Sequence, residues 1–233
     1  MAQQADLLLR NIDWLITVDS GRRIIRDAAI GVKDGCIAAI GKTADLAKSC
    51  PAAKDLDCSG MVVTPGFVDA HLHSSFHLSR GLADEANAQS FLFDRMYPYE
   101  AALEADDVRV SATVAASELL RHGVTCFIDP GNYHPEASVE GVMSTGIRML
   151  VARSSFDLTK SVLGILPERM IETTDVALKR AEEVLEEKRR QLEMPDVVSN
   201  PARLTQAANE IEFAQGEVDR LYARWAELEA RRA

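Results

Sequence analysis

The chain carries little of what several functional classes require. Its 26 basic residues fall short of its 36 acidic ones, giving a net charge of −10 over 233 residues. Such a molecule has no sequence-independent grip on a phosphate backbone, and nucleic acid is not an expected partner. Its four cysteines, Cys36, Cys50, Cys58 and Cys126, stand at irregular separations without a C-x-x-C pair. That spacing argues against a thiolate zinc site and a disulfide framework, and suits idle thiols in a reducing cytosol. The stretch Met1–Arg10 has no cationic start, and its apolar run is too short for a signal peptide or a membrane span. A cytoplasmic location with no membrane contact is expected. What the chain has in quantity is apolar residues, 47% of the total, enough to build a buried core.

The apolar residues change their pattern twice. From Asp6 to Asp57 they come in short bursts, Leu7–Leu9, Trp14–Val18, Ala28–Val32 and Cys36–Ile40, with turn chemistry such as Asp34-Gly35 between them. Short strands and hairpins follow from that pattern. From Met61 a strand interrupted by Pro65-Gly66 runs into His71-Leu72-His73. A helix over Asp106–Arg121, a strand over Val124–Ile128, a helix or turn near Pro135–Ser144 and a strand over Ile147–Ala152 come next. Strands alternating with helices predict βα units on a parallel sheet. Asp106-Asp107 is the expected cap of the first of these helices and Gly123 its expected stop.

From about Val176 the chain changes again, with Gly216 its only further glycine. Leu204, Ala207, Ile211, Ala214, Val218, Leu221, Trp225 and Leu228 alternate steps of three and four, the period of a coiled-coil seam. A weaker series runs Leu178, Ala181, Leu185, Lys188 and Leu192. Met194-Pro195-Asp196 and Asn200-Pro201 separate the two, with Asn200 as cap and Pro201 at the first helical position. The expected fold is thus α/β plus α. Residues 1–60 read as short strands and hairpins, 61–175 as βα units on a parallel sheet, and 176–233 as an antiparallel coiled-coil helical hairpin.

Side chains of a strand alternate between its faces, so His71 and His73 point to the same side and can present two imidazoles to one metal ion. A bare H-x-H is common by chance and on its own describes two ordinary histidines on a polar strand face. The surroundings favour the first reading. Thr64-Pro-Gly-Phe-Val-Asp-Ala-His-Leu-His73 resembles the motif that opens the barrel of the amidohydrolase superfamily, in the branch of metal-dependent aminohydrolases of ring compounds. Ser74–Asp84 resembles the loop after that strand. Glu118-Leu-Leu-Arg-His-Gly-Val-Thr-Cys-Phe-Ile-Asp129 and Gly146-Ile-Arg-Met-Leu-Val-Ala-Arg-Ser-Ser155 resemble the next two strand regions.

The resemblance implies a small β-sandwich portion over residues 1–60, a partial TIM-type (β/α) barrel over 61–175, and a hydrolase acting on carbon–nitrogen bonds other than peptide bonds, deaminating a small-molecule ring substrate by a metal-activated water. It makes His71 and His73 ligands of a divalent metal, zinc or iron, and puts His77 where a side chain lines the substrate pocket. Arg80 and Asp84 would shape the same loop or pair with each other. His134 would lie on the catalytic face as a loop residue, and His122 would end a helix. The superfamily draws its remaining ligands and its proton shuttle from later strands, and this sequence has no histidine past residue 180. A partial metal site is therefore expected, and the alternative is a non-catalytic truncated fusion with a coiled-coil interaction module.

The tail carries a resemblance of its own. Leu192-Glu-Met-Pro-Asp196, Asn200-Pro-Ala-Arg-Leu204 and Leu221-Tyr-Ala-Arg-Trp-Ala-Glu-Leu-Glu229 are similar to the C-terminal coiled-coil hairpin of F-type ABC ATPases. Its 10 basic and 12 acidic residues give no electrostatic hold on nucleic acid. Association of copies through a barrel edge or through this hairpin is the expected homo-oligomer.

Overall fold

The computed structural model describes residues 5–156 and 164–232. Residues 1–4, which open the expected β-sandwich portion, and residues 157–163, within the expected barrel segment, lie outside the described residues. The chain divides into two compact units. One runs to Val68 and includes Gly123–Cys126; the other comprises Asp69–His122 and the residues from Phe127 on.

The first unit is built on β1 (Ala5–Ile16), β2 (Ile24–Lys33), β3 (Cys36–Lys42), β4 (Ala52–Asp57) and β5 (Val62–Val63). The sheet order is β3-β2-β1-β4, with β5 also pairing with β1. The pairs β1–β2 and β2–β3 are antiparallel, while β4 and β5 lie parallel to β1. Asp34 and Gly35 join β2 to β3 with φ of 51° and 74°, the two positive values that a tight hairpin turn demands. The first two apolar bursts form one strand and not two. The register of β1 shifts between Leu9 and Ile12, where Asn11 takes φ of 58°, so a bulge absorbs the polar interruption without ending the strand. Helix α1 (Thr43–Ser49) places Leu46 in a core cluster with Ala5, Leu8, Ala29 and Cys50.

A three-stranded sheet follows, β6 (Phe67–Asp69), β7 (Val124–Asn132) and β8 (Arg148–Arg153), in that order. The Phe67 N–H donates to the Gly123 carbonyl and the Leu72 N–H to the Ile128 carbonyl, so the register advances in step along both strands and the pair is parallel. Helices α2 (Tyr97–Ala102) and α3 (Ala105–Arg121) lie between β6 and β7, and α4 (Pro135–Met143) lies between β7 and β8. The cap of α3 is Glu104, not Asp106-Asp107. Its N–H donates to Asp107 at 3.0 Å while its own side chain accepts from the Asp107 backbone, a reciprocal capping box. Gly123, at φ of 82°, ends that helix as expected.

Ala112 and Ala116 of α3, Phe127 of β7, Val142 of α4 and Ile147 form the buried cluster between helices and sheet. Side chains alternate along a strand, so Ile128 and Leu150 face the other way, 38% and 58% exposed. Phe67 and Val68, expected in a buried strand, are 61% and 63% exposed. Helices pack against β7 and β8 on one face and leave the other without a covering layer among the described residues, while Phe67 and Val68, which point to opposite sides, leave both sides of β6 exposed.

The remaining chain is α5 (Thr174–Leu192), a short α6 (Pro195–Val198) and α7 (Pro201–Arg232). The Thr173 side chain caps α5, and the Asn200 side chain accepts from the N–H groups of Ala202 and Arg203 at the start of α7. Glu182 bonds Tyr222 and Arg189 bonds Gln215, a pairing that descends α7 as it climbs α5, so the two helices run antiparallel. Leu178, Leu185 and Val218 are buried in this hairpin. The side chain of Leu228, the last of the predicted seam, lies outside the described residues. Among the described residues no helix is long and apolar enough to cross a membrane.

Candidate active site

His71 and His73 emerge from the end of β6 with ring centroids 5.2 Å apart, edge to face at 77°. The His71 backbone N–H is held by Asp69 Oδ1 at 3.1 Å. Nδ1 of His73 lies 3.2 Å from the Gly131 carbonyl. A carbonyl only accepts, so in this contact Nδ1 of His73 is the donor. Phe76 stacks on the same ring at 5.0 Å, and Tyr99 meets Phe76 edge-on at 6.3 Å.

The two histidines line an open cleft of about 370 Å³ together with Leu72, Phe76, His77 and Arg80. His77 Nε2 stands 3.2 Å from Glu118 and 2.7 Å from the Arg80 guanidinium. Arg80 also donates to Glu118 of α3, and that bond holds the Glu118 carboxyl below its usual range. The loop pairing weighed from sequence, Arg80 with Asp84, is replaced by this one. Gly81, at φ of 80°, turns the chain between the two residues, and α3 presents Glu118 to Arg80.

A second cavity of about 220 Å³ is lined by Glu100, Tyr133, His134, Arg153, Arg169 and Glu172 among others. Glu100 is 8% exposed, and its Oε1 has no hydrogen-bond partner among the described residues. Burial pushes its pKa up to about 7, and the charge of Asp129 pushes the same way. The Tyr133 phenol is likewise raised, first by burial and then by Glu100. Arg153 donates to the Tyr133 carbonyl at 2.7 Å and to both oxygens of Glu136. His134 opens α4, with its N–H on Asn132 and its Nε2 3.3 Å from the Leu103 carbonyl. His122 sits at the C-terminus of α3, its Nδ1 2.8 Å from the Glu118 carbonyl.

Glu100 escapes a reading of the sequence. Its signal there is slight, an acid set among Tyr97, Pro98, Tyr99 and the apolar Ala101, Ala102 and Leu103. Its standing comes from burial, which the fold imposes. As to metal, the donor set is suited in kind: two adjacent imidazoles, one with its second nitrogen anchored on a carbonyl. It is short in number. Among the described residues no cluster of three or more His, Cys, Asp or Glu side chains is placed to hold an ion.

Residues 62–217 match the Amidohydrolase family. A 5-methylthioadenosine/S-adenosylhomocysteine deaminase of Syntrophobacter fumaroxidans is 32% identical over 78% of this chain and 41% of its own length. A 5'-deoxyadenosine deaminase of Methanosarcina mazei is 31% identical over 66% of this chain and 34% of its own. The chain therefore spans about two fifths or less of these curated relatives. Among solved structures, a zinc-bound adenosine deaminase from Xanthomonas campestris superimposes with a TM-score of 0.67 at 24% identity, over 84% of this chain and 42% of that one. At that identity the likeness speaks for the fold.

Proposed function

Because the chain belongs to the amidohydrolase family, we propose that it carries the opening part of a site that hydrolyses a carbon–nitrogen bond outside peptides, deaminating a small ring compound of the adenosine or triazine kind. The observation that carries this reading is the paired imidazoles at the end of β6, with His73 fixed on the Gly131 carbonyl. His71 and His73 would hold a divalent metal, zinc or iron. The chemistry such a metal would supply is a lowered pKa for its bound water and polarisation of the group under attack.

The chain's own residues do the rest of what is proposed. The Gly131 carbonyl accepts from Nδ1 of His73, so in the neutral ring Nε2 is the nitrogen left to act as a ligand atom. Phe76 covers one face of that ring and keeps water from it. His77, oriented by Arg80 and Glu118, borders the cleft as a substrate contact. Glu100, poised near neutrality, offers an acceptor when ionised and a donor when protonated to a polar group entering the second cavity.

On this reading residues 1–60 contribute to a β-sandwich, residues 61–175 open a TIM-type barrel and residues 176–233 form a coiled-coil hairpin like that of F-type ABC ATPases, in a cytoplasmic protein that associates through its sheet edge or its hairpin. A second reading, a non-catalytic chain whose hairpin serves interaction, is favoured by the donor count. Two histidines fall short of the three protein ligands that a catalytic zinc ion uses.

Metal analysis of the purified chain, beside a His71→Ala/His73→Ala double variant, separates the two. Zinc or iron retained by the first and lost by the second, with ammonia released from 5-methylthioadenosine, supports the hydrolase. Equal metal content in both, with no ammonia release from nucleosides or triazines, overturns it.

A further inference from the structure

We propose that Asp129 is a positioning residue for His73, its buried carboxylate tying together the two backbone segments that fix the imidazole. This rests on the reading of His73 as a metal ligand. Asp129 stands near the end of β7 and is fully buried. Its Oδ2 accepts the backbone N–H of Ser74 at 3.1 Å and the Ser74 hydroxyl at 2.6 Å. Its Oδ1 accepts the Gly131 N–H at 3.0 Å, and the Asn132 amide donates to Oδ2 at 3.3 Å. Ser74 is the residue after His73, and Gly131 supplies the carbonyl that holds His73 Nδ1. One carboxylate therefore grips both the chain that carries the ring and the turn that orients it.

Both grips are themselves fixed. The Ser111 hydroxyl, on α3, donates to the carbonyls of Ser74 at 2.8 Å and Ser75 at 3.1 Å. The Asn132 amide also bonds Ser138 of α4 at 3.0 Å, and Ser74, Ser111, Asn132 and Ser138 are all fully buried. Gly131 has φ of 147°, and a Cβ there would stand 2.7 Å from Ser154 Oγ, so the turn admits no side chain. Four donors converge on Asp129 from three directions. Only an acceptor-only group answers all four, and an asparagine would set its own N–H donors against one side of the cluster.

The experiment follows the imidazole and the metal separately, on the full chain. Two-dimensional ¹⁵N spectra of the histidine rings should show His73 protonated at Nδ1 in the parent protein. In Asp129→Asn the ring should redistribute toward the Nε2-protonated tautomer, and zinc affinity should fall by about tenfold or more, as it does when groups behind a metal ligand are removed. A folded Asp129→Asn protein with unchanged tautomer and unchanged zinc affinity overturns the proposal.

Where that variant fails to fold, Ser74→Ala carries the test, since it removes one bond and leaves the carboxylate in place. A shifted His73 tautomer with weakened zinc binding supports the role, and parental behaviour in both overturns it. A parent protein that takes up no zinc removes the ligand reading of His73. The ring spectrum then still decides whether Asp129 sets the imidazole.

Discussion

Replacing Glu100 by glutamine removes a charge while keeping the shape of the side chain, which makes its consequence for stability computable. The carboxyl titrates at 4.5 when exposed and at about 7 in the fold, where burial and then Asp129 oppose its ionisation. Folding therefore favours the protonated form. The contribution is fully present below pH 4.5 and is lost as pH rises through 7. The shift corresponds to about 3 kcal/mol at about 1.4 kcal/mol per pH unit.

Glutamine does not ionise, so Glu100→Gln should be free of this loss. Any cost of leaving its amide oxygen unpartnered is the same at every pH and shifts the whole curve without tilting it. Urea unfolding followed by circular dichroism from pH 4 to pH 8 reads the tilt. The difference in unfolding free energy between variant and parent should move by about 3 kcal/mol in favour of the variant across that range. Parallel curves would refute the argument, because they would mean that Glu100 ionises as freely in the fold as in the unfolded chain.

Two further outcomes follow from packing and capping. A Cβ at position 141 would stand 2.4 Å from the Arg109 carbonyl oxygen and 2.8 Å from Thr113 Oγ1, so α3 and α4 meet through a missing side chain. Gly141→Ala should cost about 2 kcal/mol by forcing them apart, read as a lower urea midpoint, and an unchanged midpoint would show that the helices separate freely. Asn200→Ala removes the acceptor for the first amides of α7. Its loss of about 1 kcal/mol should appear as faster hydrogen exchange at Ala202 and Arg203, while protection at the buried Val218 stays as it was.

The parts legible in the sequence are those with a local signature. His71 and His73 stand out because a Pro-Gly turn, an apolar run and two histidines one residue apart are all contiguous. The hairpin at Asp34-Gly35 and the cap at Asn200 declare themselves for the same reason. The cap at Glu104 does not, because its box runs Glu to Asp, without the usual Ser or Thr at the cap. Glu100 and Asp129 are silent as well. Each is one acid among 36, and what sets them apart is the absence of solvent and, for Asp129, four donors, two from Ser74 far back in the chain and two from Gly131 and Asn132 in its own turn. The exposure of Phe67 and Val68 is equally hidden, since an apolar run reads as buried whether or not anything covers it.

The uncovered face of the β6-β7-β8 sheet has a calorimetric consequence. The part of Ile128 and Leu150 already wetted in the native state adds nothing to the heat-capacity increase on unfolding, because its hydration does not change. The increment should fall below that of a chain of equal length with both sheet faces covered. A smaller increment flattens the dependence of stability on temperature. A layer added over this face would therefore do more than add free energy: it would bend the stability curve, narrowing the span of temperature over which the protein is near its best.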